Sequence, residues 1–126
     1  MSGQAVGGRR ILVVDDSVDS AESLAMLLGA FGHEVHTAHT GAEALAAAAR
    51  CQPEFILLDL SLPDISGYEV ARQLRKDAAF AATRLVGLSG FSGDVHRRHC
   101  LEAGFDEYLE KPVTLEVLAA IFSSQR

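Results

Sequence analysis

Tryptophan is absent from this 126-residue chain, and only 3 prolines and 2 cysteines are present. Cys51 and Cys100 are too few and too far apart for a disulfide framework or a CxxC ligand pair, so they read as reduced thiols. Basic charge is scarce as well: 11 Lys and Arg against 17 Asp and Glu leave a formal net charge of −6. Direct nucleic-acid binding normally needs a basic face that displaces counterions, so none is expected. An acidic chain suits cations and basic partners instead. Long hydrophobic runs are missing. Apolar stretches such as Ala44 to Ala49 are far below a membrane span, and the opening MSGQAVGGRR has no apolar signal segment. A cytoplasmic location without membrane contact by this domain is therefore expected. No GxGxxG or Walker A sequence follows any apolar run, which excludes dinucleotide and P-loop sites.

What is present is a regular alternation. Apolar residues make up 48% of the chain, enough for one core without staples. Residues 1–8 read as a flexible leader and 9–126 as a single domain. Ile11–Val14, Phe55–Leu58 and Leu85–Leu88 are short continuous apolar runs, which predict strands buried on both faces. Weaker strands are expected at Glu34–Ala38 and Glu107–Glu110. Helices fall between them. Residues 19–31 place Leu24, Leu27, Leu28 and Phe31 at helical spacing before a Gly32 stop. Thr40 with Glu43, and Ser66 with Glu69, are capping boxes opening the second and third helices. A fourth spans 94–103, and Thr114 caps a fifth with Leu115, Leu118 and Ile121 or Phe122 inward. Five strands alternating with five helices predict an α/β, doubly wound parallel sheet.

Sites in such sheets lie beyond the carboxyl ends of the strands. The residues expected there are Asp15 and Asp16 after the first strand, Asp59 after the third, Ser89 after the fourth and Lys111 after the fifth. Three carboxylates held close resist ionisation unless a cation sits among them, and oxygen ligands of this number suit Mg2+. With phosphate charge neutralised, a carboxylate oxygen of Asp59 can attack phosphorus in line. Lys111 can hold one phosphoryl oxygen as a point charge, and Ser89 can donate to another. Any one of these residues alone could be a helix cap; the constellation carries the signal.

The constellation resembles the CheY-like receiver domains of two-component signalling over residues 9–122. The resemblance rests on Asp15-Asp16-Ser17, on Asp59-Leu-Ser-Leu-Pro63 with Gly67, on Leu88-Ser89-Gly90, and on Tyr108-Leu-Glu-Lys111-Pro112. It implies a flavodoxin-like fold with strand order 2-1-3-4-5 and a phosphorelay function. Asp59 would be the phosphoacceptor. Asp15, Asp16, Asp59 and the Ser61 backbone carbonyl would hold Mg2+ or Mn2+, and Lys111 and Ser89 would engage the phosphoryl group. Ser89 and Tyr108 would form the switch, Lys111-Pro112 would be a cis peptide, and Ser61 and Phe91 would tune phosphate lifetime. The donor would be a histidine kinase or histidine phosphotransfer protein. A downstream protein would read the face of the fourth helix, fifth strand and fifth helix. The only catalysis implied is of the chain's own phosphorylation and dephosphorylation. Leu-Ser-Leu-Pro-Asp and Gly-Phe-Asp-Glu-Tyr are similar to receivers of hybrid histidine kinases, so both a single-domain regulator and part of a larger protein stay open.

Other signals point elsewhere. His33, His36 and His39 recur every third residue, but in a strand that period alternates faces, so they should diverge. His96 and His99, like Arg72, Arg75 and Lys76, read as exposed helix surface. A haloacid-dehalogenase-type phosphatase would need a second Asp two residues past the nucleophile, where Ser61 stands. A phosphate-independent interaction module is the remaining alternative.

Overall fold

The computed structural model describes residues 8–90 and 94–123. Phe91 and most of the expected leader lie outside the described residues.

Five strands and five α-helices alternate along the chain. The strands are β1 (Arg10–Val14), β2 (Glu34–Ala38), β3 (Phe55–Asp59), β4 (Arg84–Ser89) and β5 (Glu107–Glu110). The helices are α1 (Val18–Ala30), α2 (Gly41–Cys51), α3 (Gly67–Arg75), α4 (Asp94–Ala103) and α5 (Leu115–Ser123). A single 3-10 turn at Ala78–Phe80, capped by Asp77, precedes β4 and has no counterpart in the sequence reading. All pairings are parallel, and the order is β2-β1-β3-β4-β5. This is the flavodoxin-like sheet of the CheY-like fold.

Period-two side-chain direction divides the core. Leu12, Val14, Ile56, Leu58 and Leu85 face a layer beneath α2, α3 and α4. Ile11, Val13, Phe55, Leu57 and Val86 face the other, beneath α1 and α5. Every residue of β3 is buried, as expected for the middle strand of a sheet covered on both faces.

The capping chemistry forms where the sequence places it. Thr40 accepts from the Glu43 N–H and Ser66 from the Glu69 N–H, while Glu43 reaches back to the His39 N–H at 2.8 Å. At α1 the cap is Ser17, which accepts from the Ser20 N–H.

One apolar stripe is only partly buried, and one reading of a helix face needs correction. On α1, Leu28 is buried and Leu24 half-buried, but Leu27 and Phe31 are 46% and 62% exposed. They lie to one side of the arc that meets the sheet. On α3, Arg72 and Lys76 are solvated, but Arg75 is not. Its guanidinium donates to the carbonyls of Phe80, Thr83 and Gly104 and to Asp106 Oδ2, all at 2.8–2.9 Å. A charge-run reading cannot see those partners.

Candidate functional site

Strand order brings the acidic residues together. With Val14 paired to Leu58 across β1 and β3, Asp15 follows one strand end while Asp59 completes the other. One carboxylate oxygen from each of Asp15, Asp16 and Asp59 lies within 4.8 Å of the other two. Asp59 is buried, Asp15 half-buried and Asp16 exposed.

Asp15 and Asp59 are held alike. Asp15 Oδ1 accepts from the Ser17 N–H and Asp59 Oδ1 from the Ser61 N–H, each at 2.9 Å. These contacts two residues onward tie each carboxylate to its own loop. The other oxygens turn toward Lys111, whose Nζ is 2.8 Å from Asp59 Oδ2 and 3.7 Å from Asp15 Oδ2. Burial alone would lower the Lys111 pKa, but the hydrogen bond and charge of Asp59, joined by Asp15, outweigh it and raise it. One ammonium offsets one of three carboxylates. The remaining negative charge, lined by oxygen ligands, fits a divalent cation of the Mg2+ type.

The neighbouring strands complete the surroundings. Ser89 is buried at the end of β4, and its carbonyl accepts from the Lys111 N–H at 2.7 Å. Tyr108, in β5 opposite Gly87, is buried beneath the Arg97 guanidinium, which lies 5.5 Å from the ring centroid. The Lys111–Pro112 peptide is cis. Asp15, Leu24, Leu27, Lys111 and Val113 line a groove of about 690 Å3 that borders the acidic cluster at Asp15.

The three spaced histidines diverge. His33 accepts from the Arg9 N–H and meets Phe122 edge-on; burial first, then Arg9, lowers its pKa. His36 pairs with Glu34, and His39 Nδ1 lies 3.0 Å from the Asp15 carbonyl oxygen. Exposed His99 packs edge-on against Tyr68. Among the described residues, Asp15, Asp16 and Asp59 are the one potential metal cluster. Sequence reading missed Asp64, whose carboxylate reaches the start of α2 from the turn after β3. No local pattern announces that long-range contact.

No described helix is long and apolar enough to cross a membrane. The family described as response regulator receiver domain matches residues 11–123. The chain is 39% identical over 119 residues to the sensor histidine kinase AtsR of Burkholderia thailandensis, covering 91% of this chain and 19% of that protein. It is 40% identical over 111 residues to the response regulator MprA of Mycobacterium avium, covering 88% of this chain and 48% of that one. It thus spans half or less of the length of these two relatives. Among solved structures, it is similar to the receiver domain of sensor histidine kinase PA1611 from Pseudomonas aeruginosa, described with a magnesium ion coordinated in its active-site cleft. The TM-score is 0.84 and the identity 28%, covering 94% of this chain and 97% of that one. Fold, acidic cluster and family match agree: the chain belongs to the response regulator receiver domains, a family of signalling modules.

Proposed function

We propose that Asp59 accepts a phosphoryl group from a phosphohistidine donor. The observation that carries this reading is the convergence of Asp15 and Asp16 on a buried Asp59 that Lys111 already contacts. Asp15, Asp16, Asp59 and the Ser61 carbonyl would hold Mg2+, or Mn2+ in its place. The ion supplies neutralisation of phosphoryl charge and a fixed direction of approach. An Asp59 carboxylate oxygen forms the new O–P bond while the donor's P–N bond breaks and its electron pair returns to the imidazole. Lys111 holds a phosphoryl oxygen, and the Ser89 hydroxyl donates to another. The groove beside Asp15 and Lys111 supports access for a donor imidazole.

The proposed output is a local rearrangement. Ser89 moves toward the phosphoryl group, Tyr108 occupies the space released, and the α4–β5–α5 face changes for a downstream protein. Reversing a 1:99 population takes about 5.5 kcal/mol of differential stabilisation. A few charge-assisted hydrogen bonds of roughly 1.5–3 kcal/mol each suffice. Ser61 and Phe91 would tune the phosphate lifetime. Similarity to a sensor histidine kinase supports a kinase or histidine phosphotransfer protein as donor, and cytoplasmic placement follows from that role. Ser61 stands where a phosphatase of the haloacid-dehalogenase type would need its leaving-group acid, so hydrolysis is confined to the chain's own acyl phosphate.

Intact-mass measurement after incubation with acetyl phosphate and Mg2+ tests the assignment. One phosphoryl adduct is expected on the native chain and none on Asp59→Asn. Equal labelling of the two would overturn Asp59 as acceptor. Failure of beryllofluoride to bind with Mg2+ would favour a phosphate-independent module.

A further inference from the structure

The corner joining β2 to α2 touches both loops that supply the acidic cluster. On one side, the Asp15 N–H donates to the Ala38 carbonyl at 3.0 Å, and His39 Nδ1 meets the Asp15 carbonyl oxygen. On the other, Asp64 Oδ1 accepts from the Gly41 N–H at 2.7 Å and Asp64 Oδ2 from the Ala42 N–H at 2.9 Å. Helix starts leave such donors without intrahelical partners. Thr40, the N-cap of α2, takes another of them, from Glu43. The helix therefore has its own local cap, and Asp64 adds a tie from 23 residues away.

Packing reinforces that tie. A Cβ added at Gly41 would overlap Ile65 and come within 3.2 Å of Asp64 Oδ1, so the turn sits directly on the helix start. Leu62 and Ile65 pack against the core beneath it. The base of the turn closes where the Gly67 N–H donates to the Leu60 carbonyl at 3.1 Å. Between those anchors stands Ser61, whose N–H holds Asp59 Oδ1. The hydrogen bonds from Gly41 and Ala42 lower the Asp64 pKa to about 2, so the carboxylate stays charged at neutral pH.

We infer that Asp64 is a positioning residue for the phosphoacceptor site. By pinning the β3–α3 turn to the start of α2, it sets where the Ser61 carbonyl stands relative to Asp15, Asp16 and Asp59. The inference rests on the reading of that cluster as a Mg2+ site. Asp64 touches neither metal nor phosphate; it restricts the turn that carries a ligand, as outer partners restrict metal ligands generally.

Calorimetric titration with Mg2+ alone separates this role from helix capping. The native chain, D64A, D64N and T40A are compared, each also followed by thermal unfolding without metal. T40A removes a cap bond within α2 and leaves the turn untouched. It should unfold at lower temperature yet bind Mg2+ as the native chain does. D64A should bind about tenfold more weakly, at the lower end of what losing an outer partner costs. D64N keeps one acceptor oxygen and should lose less. Native-like affinity in D64A, or equal weakening in T40A, would overturn the inference. If D64A does not fold, D64N decides: affinity equal to the native chain's would overturn it. A native chain that binds no Mg2+ would instead overturn the metal-site reading, and this inference with it.

Discussion

At the residue scale, Asp59 meets opposing demands. It is 5% exposed, yet its proposed role needs an ionised oxygen. Lys111 reconciles the two by supplying an opposite charge at 2.8 Å from a side chain that is itself 37% exposed. Lys111→Met should therefore lower metal-free stability by about 1–2 kcal/mol, a charged hydrogen bond discounted for solvent screening. Urea unfolding without Mg2+ would measure this. The pH sign follows from the raised pKa of Lys111. The contribution is whole below its ordinary 10.5 and fades as pH climbs through the higher folded value. The gap between native chain and variant should thus persist at neutral pH and narrow in strong alkali. A constant gap there would contradict the assigned pairing.

At the element scale, the turn after β3 does more than connect. Gly67 starts α3 against the backbone of β3's end: a Cβ there would lie 2.8 Å from Leu60 Cα and 2.9 Å from the Asp59 carbonyl oxygen. Those neighbours are backbone atoms and cannot rotate away. Gly67→Ala should cost roughly 1–3 kcal/mol, as overpacking does, and should displace the segment bearing Asp59 and Ser61. Denaturant unfolding would give the first effect, and slower labelling by acetyl phosphate the second. Among the described residues, the same added methyl at Gly90 would meet nothing within 4 Å, making Gly90→Ala the comparison for packing. Helix α1 shows the converse. Leu27 and Phe31 have the spacing of core residues but remain largely exposed.

At the scale of the whole molecule, the sheet is a rigid support whose two faces are both covered. Leu57 lies on the α1/α5 side of the central strand and is fully buried. Leu57→Ala should cost about 2–5 kcal/mol through lost transfer energy and residual cavity. Thermal unfolding would show a correspondingly lower midpoint. An effect below that range would mean the layers collapse readily around the missing side chain. The acidic cluster should survive in the folded fraction, because its residues stand beyond the strand ends rather than inside the layers.

Sequence alone determined the elements and the chemistry assigned to the site. Continuous apolar runs mark strands covered on both faces, capping boxes mark helix starts, and Asp15, Asp16, Asp59, Ser89 and Lys111 follow their strands by local order. Strand order came from resemblance and not from periodicity, because local patterns do not encode which strands pair. Only the tertiary structure decided the contacts made across long stretches of chain: Asp64 on the start of α2, Arg75 among three carbonyls, His39 against Asp15 and the outward turn of Phe31. A hydrogen bond or a helix rotation of that kind depends on where distant elements meet. No short-range periodicity records that meeting.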